Sequence, residues 1–166
     1  MSSILKVDQL QDSGGNNLVT SNGSGVITAA GFGKVLQVVE NSSSTNFTNS
    51  STSHSELINA SITPSSTSNK ILIYFAVNCQ ITANSNAYGR AGVLRGTISG
   101  TSLGDFIGGS AASSNVNFPL YGTYLDSPST TSAQQYTLGM STASGATTSV
   151  TTDSTTYRLV LMEIQA

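Results

Sequence analysis

The stretch Lys70–Ala83, Lys-Ile-Leu-Ile-Tyr-Phe-Ala-Val-Asn-Cys-Gln-Ile-Thr-Ala, decides the fold class. Every second position of this stretch is apolar, and the positions between them mix polar and apolar residues. The alternating set is Ile71, Ile73, Phe75, Val77, Cys79, Ile81 and Ala83. A period of two over so long a run predicts a β-strand with one fully buried face. We therefore expect this strand to lie at the centre of a β-sheet domain.

The rest of the body offers further strand candidates and no apolar stripe at helical spacing. They are Lys34–Glu40, Glu56–Thr63, Gly89–Arg95, Ser102–Gly108, Phe118–Asp126, Gln135–Ser141 and Thr156–Gln165. About eight strands separated by turn clusters predict an all-β fold, an antiparallel β-sandwich that is jelly-roll-like. The final strand is apolar on both faces between Tyr157 and Ile164, which indicates a central strand or a subunit contact.

Residues 1–33 form an extension to this body, which spans residues 34–166. Short apolar segments, such as Ile4-Leu5-Lys6-Val7 and Asn17-Leu18-Val19, are separated there by Gly, Asn and Ser turns. Ile4, Val7 and Leu10 also fit one helical face, so the first dozen residues remain open between strand and helix. Such an extension has no core of its own. We expect it to be an extended β anchor that pairs with other copies or with a docking site.

Composition excludes several classes of partner. The net charge is −2 and charged residues make up 8% of the chain, so neither nucleic acid nor membrane insertion is expected. Cys79 is the only cysteine, which rules out an intrachain disulfide and predicts a buried thiol. Without a secretion signal we expect synthesis in a cytoplasm. The chain has few apolar residues for the core of a monomer, and oligomerisation would add buried apolar area, so we expect a homotrimer.

A search for chemistry yields no catalytic residue, no metal site and no cofactor. His54 is the only histidine, and its serine-rich flanks predict an exposed loop. Asp105 and Asp126 are the one carboxylate pair considered for glycoside hydrolysis, but Asp126 before Ser127-Pro128 is typical of a turn. We therefore expect a protein that is not an enzyme.

Arginine and tyrosine side chains offer binding roles. Arg90 and Arg95 lie on opposite faces of one predicted strand, so one can face solvent while the other pairs with an acid inside the trimer. Tyr88, Tyr121 and Tyr124 lie in or beside predicted loops, where a tyrosine ring either stacks on sugar rings or packs at the rim of the sheet.

Several stretches together resemble a known family. The opening Ser2-Ser3-Ile4-Leu5-Lys6-Val7-Asp8 resembles the N-terminus of tail-fibre-like virion proteins of marine and cyanobacterial tailed phages. The body resembles the C-terminal domain of the same proteins in four stretches that follow in the expected order. They are Gly33–Val39, Ser61–Ile73 (Ser-Ile-Thr-Pro-Ser-Ser-Thr-Ser-Asn-Lys-Ile-Leu-Ile), Tyr124–Ala133 (Tyr-Leu-Asp-Ser-Pro-Ser-Thr-Thr-Ser-Ala) and Leu161–Ile164 (Leu-Met-Glu-Ile).

The resemblance implies a trimeric fibre in the virion, attached by residues 1–33 and presenting a β-rich knob. The expected virion-docking residues are Ile4, Leu5, Val7, Leu10, Leu18, Val26 and Ile27. Expected host contacts, to a surface glycan, come from loops 41–55, 84–90, 109–117 and 142–153, with Asn84, Asn86, Tyr88, Arg90, Asn115 and Asn117 as candidates.

The chain has no long shaft between anchor and knob, so two other readings stay open. One is a head fibre or capsid decoration, or a baseplate or neck fitting, without receptor binding. The other is a depolymerase tailspike, which a short chain without paired carboxylates disfavours.

Overall fold

The computed structural model describes residues 8–21, 23–24, 27–29, 34–83, 87–111, 115–143, 145–150 and 156–166. In these residues every regular element is a β-strand, so the all-β prediction is confirmed. The chain divides into two compact units, Met1–Lys34 and Val35–Ala166.

The first unit holds a three-stranded antiparallel sheet of β1 (Gln9–Gln11), β2 (Asn17–Ser21) and β3 (Ile27–Ala29), in that order. The turn between β1 and β2 forms around Asp12. Its carboxylate accepts hydrogen bonds from the backbone N–H groups of Gly14 at 2.8 Å and Asn16 at 2.9 Å. Gly15 has a φ of 80°, a left-handed conformation that favours glycine. The polar turn predicted here thus has a specific geometry.

The described residues of the second unit form ten strands. They are β4 (Val35–Ser43), β5 (Phe47–Asn49), β6 (Ser55–Ile62), β7 (Lys70–Ala83), β8 (Ala87–Arg95), β9 (Thr101–Ala111), β10 (Val116–Asp126), β11 (Gln134–Thr142), β12 (Ala146–Val150) and β13 (Tyr157–Ile164). Two of them were missed: β5 lies within the predicted loop 41–55, and β12 within the predicted loop 142–153. β12 pairs with β5 and with one end of β7. Both are short and rich in Ser, Thr or Asn, so they lack the apolar alternation that marks the other strands.

The strands form two antiparallel sheets in a sandwich-like arrangement. In the first sheet β7 pairs with β10 along one edge, and with β13 and then β12 along the other. β4 lies outside β13, and β5 lies outside β12. The second sheet has the order β6-β11-β8-β9. The central position predicted for β7 is therefore correct.

The core lies between the two sheets and is built on β7. Its alternating side chains from Ile71 to Ile81 are at most 4% exposed, as the period of two requires. Phe75 meets Phe106 of β9 edge to face, with ring centroids 5.0 Å apart. Gly122 lies opposite Phe75, and a Cβ atom there would come within 2.6 Å of the Phe106 ring. Burial raises the pKa of the Cys79 thiol to about 12, which agrees with its predicted structural role.

Glu163 is a buried carboxylate on the core side of β13. It is 1% exposed and accepts hydrogen bonds from Gln37, Ser65 and Asn69. The Gln37 Nε2 bond is 2.7 Å, the Ser65 bonds are 2.6 Å (backbone N) and 2.8 Å (Oγ), and the Asn69 Nδ2 bond is 2.6 Å. Burial opposes ionisation, but these donors outweigh it and lower the pKa of Glu163 to about 2. Glu163 therefore fixes the loop between β6 and β7 against β4 and β13.

Asp126 is a second buried carboxylate, at the end of β10, and it corrects the prediction of a simple turn residue. Its oxygens accept hydrogen bonds from Arg95 Nε at 2.8 Å, from Arg95 Nη2, and from Tyr136 Oη at 2.7 Å. The pKa of Arg95 rises chiefly through its hydrogen bond to Asp126, and that of Tyr136 rises chiefly through burial. The acid partner of Arg95 thus lies in its own chain. This group joins β10 of the first sheet to β8 and β11 of the second sheet.

The Glu163 network predicts a specific loss of stability. In a variant with Gln at position 163, an amide NH₂ group replaces one carboxylate oxygen. This NH₂ group then faces N–H or O–H donors that need an acceptor. We expect the E163Q variant to lose about 2–4 kcal/mol of unfolding free energy at pH 7. The exposed ion pair of Glu40 with Arg158 supplies the control, since E40Q should cost less than about 1 kcal/mol. Urea unfolding followed by circular dichroism measures both, and equal losses in the two variants would contradict the assignment.

The same network has a pH signature. The pKa of Glu163 is about 2 in the folded chain against an ordinary 4.5. Its stabilising contribution is therefore complete above pH 4.5 and is lost as the pH falls towards 2. We expect the stability difference between wild type and E163Q to shrink across this window. A difference that stays constant from pH 6 to pH 2.5 would be inconsistent with this role.

Candidate functional site

The outward side of the first sheet carries a row of apolar side chains. Val38 lies opposite Met162, Met162 opposite Leu72, and Leu72 opposite Leu125, so one row crosses β4, β13, β7 and β10. We call these four residues the apolar face. Val38 is 57% and Leu125 is 51% exposed, while Met162 and Leu72 are partly covered by their neighbours.

The surroundings of the apolar face extend it on one side and limit it on the other. At one end, Val35 and Leu36 at the start of β4 are exposed. At the other end Tyr74, which follows Leu72 on the same side of β7, is also exposed and lies in one row with Val160 and Glu40. Further along, Arg158 Nη1 donates a 3.1 Å hydrogen bond to Glu40 Oε1. A contiguous exposed apolar patch with a polar border is typical of a protein interaction surface. Part of this surface is evident in the sequence of the final strand, which is apolar on both faces.

His54 lies in a loop, between β5 and β6, as predicted, but its side chain is partly buried against the outward side of the second sheet and is not exposed. Its side chain is 20% exposed and rests on Gly92 and Gly139, which face each other on β8 and β11. A Cβ atom at Gly92 would come within 2.6 Å of His54 Nε2. Two opposed glycines thus make room for the imidazole, a feature that the residues flanking His54 in sequence do not reveal.

The charges around His54 act in opposite directions. Its Nε2 atom lies 3.5 Å from Asp105 Oδ1 on β9. Burial lowers the pKa of His54, Asp105 raises it, and Arg90 lowers it, with a net lowering. Nε2 is buried without a hydrogen-bond partner, as is the hydroxyl of the fully buried Ser141. Within the described residues, no serine hydroxyl is hydrogen-bonded to His54.

The described host-contact candidates do not form one cluster. Tyr88 and Arg90 lie within β8 of the second sheet rather than in a loop, and both are half-buried. The Arg90 guanidinium is 5.1 Å from the Tyr88 ring centroid. Asn117 lies on β10 of the first sheet, where its Oδ1 accepts a 2.9 Å hydrogen bond from Gln80, and Asn115 is exposed just before that strand. Asn84 and Asn86 lie outside the described residues.

The virion-docking candidates are described only in part. Leu10 on β1 and Leu18 on β2 are exposed, and Ile27 belongs to β3. Ile4, Leu5, Val7 and Val26 lie outside the described residues. The exposed leucines show that this small sheet leaves apolar side chains available for contact.

Within the described part of the chain, no group of three or more His, Cys, Asp or Glu side chains is placed to hold a metal ion. Among those residues, too, no helix has the length and apolar character needed to cross a membrane.

Comparison with known proteins adds little. No protein-family model matches the chain, and neither does any curated protein. One solved structure that matches is that of infectious bursal disease virus, Gx strain, with 8% identity and a TM-score of 0.41. The match covers 85% of this chain and 42% of the viral chain, so this chain spans less than half the length of its match. We draw no conclusion about fold or function from a similarity of this size.

The environment of His54 predicts its titration. Because the chain has a single histidine, one imidazole resonance reports the site by NMR. We expect a pKa below 6.5 in the wild type, a still lower value in D105N, and a higher value in R90Q. A pKa at or above 6.5 in the wild type, or shifts of opposite sign in the variants, would refute the described geometry.

Proposed function

We propose that this chain is a non-enzymatic structural protein of a bacteriophage virion, a short homotrimeric fibre. Residues 1–33 attach it to other virion proteins, and residues 34–166 form a knob that presents a surface to the host cell. The protein is made in the host bacterial cytoplasm, resides in the virion and uses no cofactor.

The apolar face carries the trimer proposal. Fully burying an aliphatic side chain of this size stabilises a protein by about 1.5–3 kcal/mol. In an isolated copy Val38 and Leu125 are exposed and do not contribute this stabilisation. The same patch recurs at equivalent positions in every copy, so closed symmetry covers it in all of them. A strand apolar on both sides, such as β13, then has one side in the core and the other in the subunit contact.

The path of the chain supports a viral or lectin-like knob. From β6 to β7, and again from β9 to β10 and from β10 to β11, the chain crosses between the two sheets, as in a jelly roll. Jelly rolls recur in viral capsid and lectin domains. This agrees with the family resemblance, although a shared fold does not define a function.

Three of the stretches that carry the family resemblance form the hydrogen bonds of the buried carboxylates Glu163 and Asp126. The Ser61–Ile73 stretch supplies Ser65 and Asn69 to Glu163, which belongs to the Leu161–Ile164 stretch. The Tyr124–Ala133 stretch supplies Asp126 to Arg95 and Tyr136. These stretches support a shared knob architecture, whereas a receptor is contacted by other residues.

A capsid fibre or decoration, or a baseplate or neck fitting without receptor binding, is the alternative. It uses the same trimer and the same attachment unit. Binding of the purified trimer to host cells separates the two functions: binding supports adhesion, and its absence favours the fitting.

Charged substitutions on the apolar face should dissociate the trimer. We expect the V38E/L125E double variant to sediment as a folded monomer, because burying two carboxylates in an apolar contact costs more than the contact supplies. Ile107, which is 66% exposed on the second sheet, supplies the control variant I107E, expected to stay trimeric. Analytical ultracentrifugation with circular dichroism measures both. A V38E/L125E variant that remains trimeric would exclude this face as the contact.

Removing residues 1–33 should separate attachment from folding. We expect the body alone to keep its β-sheet circular dichroism spectrum and to be lost from virions when phage lacking the full chain are complemented with it. The full chain supplied from the same plasmid is the control. Incorporation of the truncated body at the wild-type level would show that the anchor lies elsewhere.

A further inference from the structure

A shallow groove lies on the outward side of the first sheet, between β7 and β10. Tyr121 faces Ala76 across the two strands, and Pro119 faces Asn78, so these four residues share one side of the sheet. With Thr156 they line a cavity of about 110 Å³. The small side chain of Ala76 leaves the floor beside Tyr121 open.

Tyr121 is the most exposed large apolar side chain of the described residues. It is 68% exposed, whereas the aromatic rings of Phe75 and Tyr136 are fully buried in the core. A tyrosine ring joins a flat apolar surface to a polar hydroxyl, which suits a ligand that is apolar on one side and hydroxylated at its edge. Asn78 and Thr156 add an amide and a hydroxyl within the same groove.

The charges around the groove select a neutral ligand. None of its described lining residues is charged. Arg158, which lies opposite Ala76 on the neighbouring strand, is engaged by Glu40 at 3.1 Å. A nucleic acid would require free cationic side chains, which this groove lacks. The volume of about 110 Å³ is also below the 300–1,000 Å³ typical of pockets that enclose a larger ligand, so the groove has room for one ring at most.

The groove begins beyond Tyr74, which lies between Leu72 of the apolar face and Ala76 of the groove on the same side of β7. Tyr121 and Leu125 lie on the same side of β10 but four residues apart, which corresponds to roughly 14 Å along a strand. Thr123, the residue between them on that side, is exposed. A trimer that buries Leu125 therefore leaves room for Tyr121 to face a ligand.

We propose that this groove binds one neutral sugar ring of a host-surface glycan, with Tyr121 as the stacking platform and Asn78 as a hydrogen-bonding partner. This proposal rests on the adhesive function proposed above and names its ligand class and site. One ring in a shallow groove binds weakly, and the three copies of a trimer raise the avidity for a repeating glycan.

Saturation-transfer NMR on the purified full chain tests the site. The probes are methyl glycosides of glucose, galactose, mannose and rhamnose at millimolar concentration. We expect transfer to the ring protons of at least one glycoside, an affinity about tenfold weaker in Y121A, and near wild-type binding in Y121F, which keeps the ring. N78A should also weaken binding. T123A is the matched control on the same side of β10 and should change nothing.

The outcomes separate this site from the fibre proposal. No transfer to any glycoside by an intact trimer, or transfer that survives Y121A, overturns the groove and leaves the trimer standing. Dissociation of the Y121A trimer in the ultracentrifuge also overturns it, because the groove would then be a subunit contact. A wild-type monomer whose sugar binding depends on Tyr121 supports the groove and sinks the trimeric fibre.

Discussion

The structure depends on the strand β7, which is hydrogen-bonded along both of its edges. β10 lies on one side and β13 and β12 on the other, so these three strands are placed by their register with β7. β4 and β5 are placed in turn by β13 and β12. One side of the strand fills the core from Ile71 to Ile81. Its other side must face outward, and there Leu72 continues an apolar row instead of a polar surface. One side of β7 therefore stabilises the unit through the core, and the other side contributes to the exposed apolar face.

Two buried carboxylates complete the sandwich where apolar packing alone does not define the loops. Glu163 gathers donors from the segment before β7, and Asp126 gathers Arg95 and Tyr136. Only 8% of the residues are charged, and two of the eight acidic residues, Asp126 and Glu163, are buried. Buried charges with several hydrogen bonds are costly to disrupt, which makes the geometry of these loops specific.

The sequence predicts the parts of the fold that follow from periodicity. The bounds of β7 are predicted to the residue, because its alternation is unbroken. β5 and β12 are not predicted, because Thr147 and Ser149 on β12 look like loop residues until β7 supplies the partner strand. The burial of His54 depends on Gly92 and Gly139, which meet only when β8 and β11 pair. Long-range register, and not local propensity, decides these features.

The candidate site, like the fold, is only partly predictable from the sequence, because its geometry depends on strand pairing. The sequence indicated Tyr121 as a ring for sugar stacking or rim packing in or beside a loop, whereas Tyr121 lies within β10. Its groove needs the opposing Ala76 and Asn78, whose positions depend on the pairing of β7 with β10. The apolar face was visible only at β13. Val38, Leu72 and Leu125 come from distant parts of the chain, and each alone is an ordinary apolar strand residue. Their alignment in one row turns scattered residues into a surface.

The most direct test of this account is the mass of the purified wild-type protein in solution, measured by light scattering across a range of concentrations. The account predicts a stable species of three times the 17.0 kDa chain mass. A species of one chain mass at every concentration would contradict it, because the apolar face would then remain in contact with water.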